Sequence, residues 1–219
     1  MDTRTQEILR AVVDEYIKQA EPISSGFLVE HLNFDVSPAT MRGELSQLEE
    51  MGLLEKPHTS GGRIPTPRGY RFFVDNLLGD RELETSEKEE LSRVRTLFEL
   101  HEFLARKAGG VIIGGEDTEH AEEVGLLDVL DSPEFIEHDM LLDFMRRAEM
   151  VRKEFSRMLR FAENEPHVYI GEEAKDIVGD DRYSILFMKV RGDNAAICFG
   201  LTRMNYGQAL AMARYLSKT

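Results

Sequence analysis

Cysteine is nearly absent from this sequence: the 219 residues contain one, Cys198. That excludes an internal disulfide and any zinc site built from several cysteines. Cys198 lies in the apolar stretch Ala195-Ala196-Ile197-Cys198-Phe199 and reads as a buried small hydrophobe. The six histidines show no ligand spacing, and His101-Glu102 is not followed by the second histidine of a zinc-protease helix. No apolar run approaches the roughly 20 residues that cross a bilayer. The opening Met1-Asp2-Thr3-Arg4 lacks the basic-then-apolar layout of a secretory signal. A soluble, cytoplasmic protein with no membrane partner is the expectation. Carboxylates are plentiful but lie in solvated runs, and no nucleophile has a base at a recognisable spacing. The glycines of Gly109-Gly110-Val111-Ile112-Ile113-Gly114-Gly115 are not a phosphate loop, because no Gly-Lys-Ser/Thr follows. We therefore expect no enzyme activity, no cofactor and no metal.

Positive charge is also scarce overall, with a formal net charge of −14. The average hides a local pattern. From Lys56 to Val74 the chain reads KPHTSGGRIPTPRGYRFFV, with Lys56, Arg63, Arg68 and Arg71 and no acid, whereas acids gather in Glu82 to Glu90 and Glu116 to Glu123. A basic island in an acidic chain points to one face built for an anion.

Periodicity organises the chain. Thr3 and Gln6 fit a capping box ahead of Ile8, Leu9, Val12, Val13, Tyr16 and Ile17, which share one helical face, and Glu21-Pro22 ends that helix. A shorter helix carries Phe27, Leu28 and Leu32. Ser37-Pro38 starts a third, with Met41, Leu45 and Leu48 inward and Gly52 at its stop. Leu53 to His58 and Arg63 to Pro65 read as a hairpin with Thr59-Ser60-Gly61-Gly62 at its tip, and Pro67 opens a fourth helix. That order is the winged variant of helix-turn-helix. Gly79 to Ser86 reads as a linker, and Ser86 with Glu89 caps a helix reaching about Lys107. A long helix is expected from His138 to about Phe161, as a core helix or a dimer contact. Strands follow at His167 to Gly171, Tyr183 to Val190 and Ala195 to Leu201, with Arg191-Gly192-Asp193-Asn194 turning the second into the third. Thr202 caps a last helix.

The start of the third helix, Ser37-Pro38-Ala39-Thr40-Met41-Arg42-Gly43, presents small and hydroxyl side chains before its apolar face begins. Small residues let a backbone enter the major groove, and a hydroxyl or a long cation reads bases or holds phosphate. Ser37, Ala39, Thr40 and Arg42 are the candidate contacts there. Lys56, His58, Thr59, Ser60 and Arg63 lie on or beside the wing, shaped for a minor groove or a phosphate row, and Arg68 and Arg71 extend that row.

Residues 1–78 resemble the N-terminal domain of the heat-inducible transcription repressor family, HrcA. Four segments carry the match: Gln6 to Val13, Val36 to Arg42, Leu48 to Glu55, and Lys56 to Thr66 continuing into Gly69 to Asp75. Val168-Tyr169-Ile170-Gly171-Glu172-Glu173 and Gly200-Leu201-Thr202-Arg203-Met204-Asn205-Tyr206 resemble the two ends of the family's last segment, and Leu127 to Phe135 a shorter piece before it. The resemblance implies a GAF-like C-terminal domain and a homodimer. It also implies repression of chaperone genes at an inverted-repeat operator in double-stranded DNA, with the chaperonin as modulator. The chain departs from the family in lacking most of the middle region, between about Lys107 and Gly125. Gly26 and Phe27 stand where the family has arginine and threonine, and Gly43 where it has a polar residue.

The expected fold class is α+β: a winged helix-turn-helix domain over residues 1–78, a linker and connecting helix over 79–108, and an abridged GAF-like domain over 109–219. A regulator of unrelated genes, whose C-terminal half senses a small molecule or a protein, is the competing reading.

Overall fold

Asp2 opens the first helix. Its Oδ1 accepts the Thr5 N–H at 2.8 Å and caps α1 (Thr3–Gln19). The expected Thr3/Gln6 pair is displaced, because a carboxylate at this position also meets the positive end of the helix dipole. The helix stops at Gln19, short of Glu21-Pro22, where Ala20 takes left-handed backbone at φ 56°. The computed structural model describes residues 1–32, 34–57, 61–79, 81–159, 165–191 and 194–218, in two units, Met1–Gly79 and Asp80–Thr219.

In the first unit, Ser24 caps α2 (Ser25–His31) and Ser37 caps α3 (Pro38–Glu50), with Pro38 at its first turn as anticipated. Ile8, Leu9, Val12 and Val13 of α1, Leu28 of α2, and Met41, Leu45 and Leu48 of α3 are buried together. Each such side chain contributes about 1.5–3 kcal/mol of burial. Strands β1 (Leu54–Glu55) and β2 (Ile64–Pro65) pair antiparallel and are shorter than the sequence led us to expect. The ladder gains a third member instead, since Ile23 and Arg63 exchange both backbone N–H···O bonds at 2.9 Å.

Helix α4 (Pro67–Phe72), capped by Thr66, runs on into a π-helical turn, Phe73–Leu77. Two glycines permit the close packing. A Cβ at Gly69 would lie 2.0 Å from the Leu53 carbonyl oxygen, and one at Gly62 would lie 2.6 Å from the Pro22 backbone.

The second unit begins with two helices rather than one, α5 (Thr85–Arg93) and α6 (Leu97–Ala108). The break has a local cause. Glu99 accepts the N–H groups of Arg95 (2.7 Å) and Thr96 (3.2 Å), and Thr96 Oγ1 accepts the Glu99 N–H (3.1 Å). That capping box restarts the helix at Leu97.

The sheet contains β3 (Val111–Gly115), β4 (Glu122–Val124), β5 (His167–Ile170), β6 (Tyr183–Lys189) and β7 (Ala195–Leu201). Its order is β4-β3-β7-β6-β5 and every pairing is antiparallel. Between strands lie α7 (Leu126–Leu130), a 3₁₀ turn at Pro133–Ile136, α8 (His138–Lys153), α9 (Phe155–Met158) and α10 (Glu172–Val178). Strand β4 and helices α7 and α10 carry short patterns that the sequence reading passed over. The long helix expected to reach Phe161 breaks at Glu154, and residues 160–164 lie outside the described set.

Phe144, Val151 and Phe155 pack with Val111, Ile113, Ile185, Ile197 and Phe199 on one face of the sheet. Helix α6 and α11 (Tyr206–Leu216) pack together and against β3 and β6. Asn205, not Thr202, caps α11, its side chain accepting the Gln208 N–H at 3.1 Å. Layers on both faces explain why β6 and β7 are buried almost throughout and read as continuous apolar runs. Cys198 is buried among them, and burial pushes its thiol up to about 12. The class is α+β, a winged helix-turn-helix and a GAF-like sheet with its helices.

Candidate nucleic-acid interface

Helix α3 separates its two faces cleanly. Met41, Leu45 and Leu48 are buried, while Ser37, Ala39, Thr40, Arg42, Gly43, Ser46 and Gln47 are exposed. Ser37 Oγ accepts the Thr40 N–H at 3.1 Å and lies 3.0 Å from Thr40 Oγ1, so both hydroxyls belong to the cap yet stay open to solvent. A Cβ placed on Gly43 would meet nothing within 4 Å. Arg42 holds no ion pair among the described residues. The outward surface from Ser37 to Gly43 therefore has one free cation, two hydroxyls, two small residues and no acid.

The acids of α3 are turned to other uses. Glu44 is buried and accepts from Thr5 Oγ1 (2.9 Å) and Arg4 (Nε 3.0 Å, nearest guanidinium contact 2.6 Å), tying α3 to the start of α1. Glu49 receives Arg63 through Nε and NH2, both at 2.8 Å, tying α3 to the strand after the wing. Charge-assisted, two-point contacts of this kind fix orientation as well as distance. Sequence reasoning missed both glutamates. Glu44 had one legible signal, a carboxylate three residues after Met41 on the apolar face, but its partners lie forty positions away and no spacing announces them.

The sequence-derived cations divide into two groups. Lys56 and Arg68 are exposed, Arg68 lying across Gly52 with NH1 3.6 Å from where a Cβ would stand. Arg63 is engaged by Glu49 with its side chain 14% exposed, and Arg71 bonds Asp75 at 3.2 Å with its side chain 21% exposed. His58, Thr59 and Ser60 lie outside the described residues. Much of the motif from Gly61 to Tyr70 is architecture. Thr66 Oγ1 donates to the Gly52 carbonyl (2.7 Å) and accepts the Gly69 N–H (3.0 Å), while the Thr66 N–H reaches the Leu53 carbonyl (3.1 Å). These bonds close the wing onto the end of α3.

In the second unit one polar cluster, around Asp143, is satisfied internally. Asp143 accepts from Tyr183 Oη (2.7 Å), Arg147 Nε (2.8 Å) and Arg182 NH2 (2.9 Å). The guanidinium groups hold the Asp143 carboxyl below the usual carboxylate range, Arg147 foremost, and Arg182 holds Asp180 down to about 2. No group of histidine, cysteine, aspartate and glutamate suited to a metal occurs among the described residues. No helix of the described residues is long and apolar enough to cross a membrane.

No family model matches the chain. A heat-inducible transcription repressor HrcA of Natranaerobius thermophilus is 51% identical over 98 residues, 45% of this chain and 28% of that protein. The HrcA of Moorella thermoacetica is 48% identical over 108 residues, 48% of this chain and 31% of its own length. The matched stretch is thus less than a third of either relative. A crystal structure described as a hypothetical protein superposes with a TM-score of 0.79, covering 100% of this chain and 97% of that one at 17% identity. That likeness is one of fold. Over a little under half of its length, this chain is similar in sequence to proteins described as heat-inducible transcription repressors.

Proposed function

We propose that this chain is a sequence-specific DNA-binding transcription repressor that reads its operator with α3. The observation that carries the reading is the acid-free, exposed surface from Ser37 to Gly43, with Arg42 unpaired at its centre. In a chain of net charge −14, such a surface admits a polyanion where the rest of the molecule repels it. Ala39 and Gly43 let the helix backbone approach base edges, Arg42 and Thr40 supply donors, and Ser37 holds the first turn in place. Lys56 and Arg68 hold phosphate, and His58, Thr59 and Ser60 remain further candidate contacts. Arg63 and Arg71 act one step back. Already engaged by Glu49 and Asp75, they position the wing and α4 rather than the DNA.

One α3 reads one half-site. Two copies on a two-fold axis would set two α3 helices about 34–36 Å apart, or a multiple of it, on an inverted repeat. Similarity to proteins named heat-inducible repressors supports chaperone and heat-shock genes as targets. Footprinting the purified full chain on the chaperone promoters of its own genome tests the reading. Protection of an inverted repeat is the expected result. Protection nowhere, with no retention of random duplex at low salt, overturns it.

A further inference from the structure

Helix α8 has a second face that the core does not use. Phe144, Ala148 and Val151 are buried against the sheet, while Met145, Arg146, Glu149 and Arg152 are exposed on the other side. These four, with Glu123, Leu126, Leu142 and Ala148, line a groove of about 500 Å³. Its floor is apolar and its rim holds two acids and two bases. Met145, which lines the groove, is a large apolar side chain 42% exposed. Exposed apolar surface rimmed by charge marks an association site.

We propose that this groove docks a second copy of the chain, with α8 packed antiparallel on α8 across a two-fold axis between Arg146 and Glu149. The proposal rests on the dimeric reading above and gives it a surface. The charge pattern selects the occupant. A two-fold contact brings a patch against itself, so the patch must be self-complementary. Turning α8 about that axis sets Arg146 opposite Glu149 of the partner subunit, and Glu149 opposite Arg146 of the partner subunit.

The rim is also neutral, whereas each chain as a whole carries −14 and repels its copy. A partner of strong charge in either sense would leave half of the rim unmatched. Arg146 and Arg152 hold no ion pair among the described residues. Glu149 bonds Lys153 at 2.7 Å in an exposed pair along the helix, which is readily exchanged. Methionine at the centre adapts to the facing side chains.

Sedimentation equilibrium of the full chain tests the contact. The native protein is expected to dimerise at micromolar concentration. Arg146→Glu and Glu149→Arg should each weaken self-association about tenfold or more, because each puts two like-charged pairs across the axis. Mixing the two variants should restore dimers, since every cross-axis pair is then opposite in sign, and the double variant Arg146→Glu/Glu149→Arg should dimerise alone. Recovery on mixing also shows that both variants are folded. Single variants that associate like the native chain would remove α8 from the interface and leave the dimer intact. Weakened variants that neither mixing nor the double change restores would refute this pairing. A native chain that stays monomeric at the highest attainable concentration would sink the dimeric reading itself.

Discussion

Lowering the pH should destabilise the second unit through one residue, His101. Its side chain on α6 is fully buried, and neither ring nitrogen has a hydrogen-bond partner among the described residues. The ring lies so near β3 that a Cβ on Gly114 would come within 2.5 Å of Nε2. The Glu122 carboxylate is 3.7 Å from Nδ1, but its side chain is half in solvent and offsets little of the burial. Burial therefore lowers the imidazole from 6.5 to about 4. A neutral buried histidine is favoured above the unfolded value, so its stability is fully present above pH 6.5 and drains away as the pH falls towards 4. Each pH unit in that window removes about 1.4 kcal/mol, or roughly 2 kcal/mol by pH 5. Replacement by leucine removes the proton site and leaves no partner unsatisfied, so His101→Leu should stay within about 1 kcal/mol of the native protein at pH 8. Urea unfolding of both proteins at pH 8 and pH 5 isolates the effect, because carboxylates and the exposed His120, whose imidazole Asp117 raises, are common to both. An equal loss of stability in the two proteins on acidification would show that His101 is protonated at no cost, and the reasoning would fail.

The remaining predictions concern the first unit. Arg68→Ala should weaken binding to every duplex and reduce the slope of log K against log salt by roughly 0.9, the value for one phosphate contact. Arg63→Ala should leave that slope unchanged and instead lower stability by about 1 kcal/mol, because its loss frees Glu49. Gly69→Ala should cost about 3 kcal/mol in urea unfolding, since the new methyl meets the Leu53 carbonyl and the backbone must move. Gly43→Ala, in open space on a helix, should raise stability by about 0.5–1 kcal/mol.

Local chemistry was legible in the sequence and distant partnership was not. Ser37-Pro38 announced α3 because cap and first-turn proline act on their own neighbours. The runs at Tyr183 and Ala195 announced β6 and β7 because both faces are covered. The break between α5 and α6 was written in Thr96 and Glu99, but an unbroken apolar period across it from Leu91 to Leu104 spoke louder. The basic island was read as a row of DNA contacts. Two of its four cations, Arg63 and Arg71, instead pair with Glu49 and Asp75. A cation's role depends on what stands opposite it, and Glu49 faces Arg63 only after the wing has closed. The same holds for Glu44 with Arg4 and for His101 with Gly114, where the residue is visible in the sequence and its environment is made by the fold.

The central claim is that Arg42 on α3 reads sequence. It is tested most directly by measuring how strongly the full chain prefers its operator over random duplex at fixed salt, for the native protein and for Arg42→Ala. Loss of one base contact should reduce that preference by about 1–3 kcal/mol, while affinity for random duplex changes far less. An equal loss on both DNAs would make Arg42 a phosphate contact, and no loss on either would take α3 out of the groove.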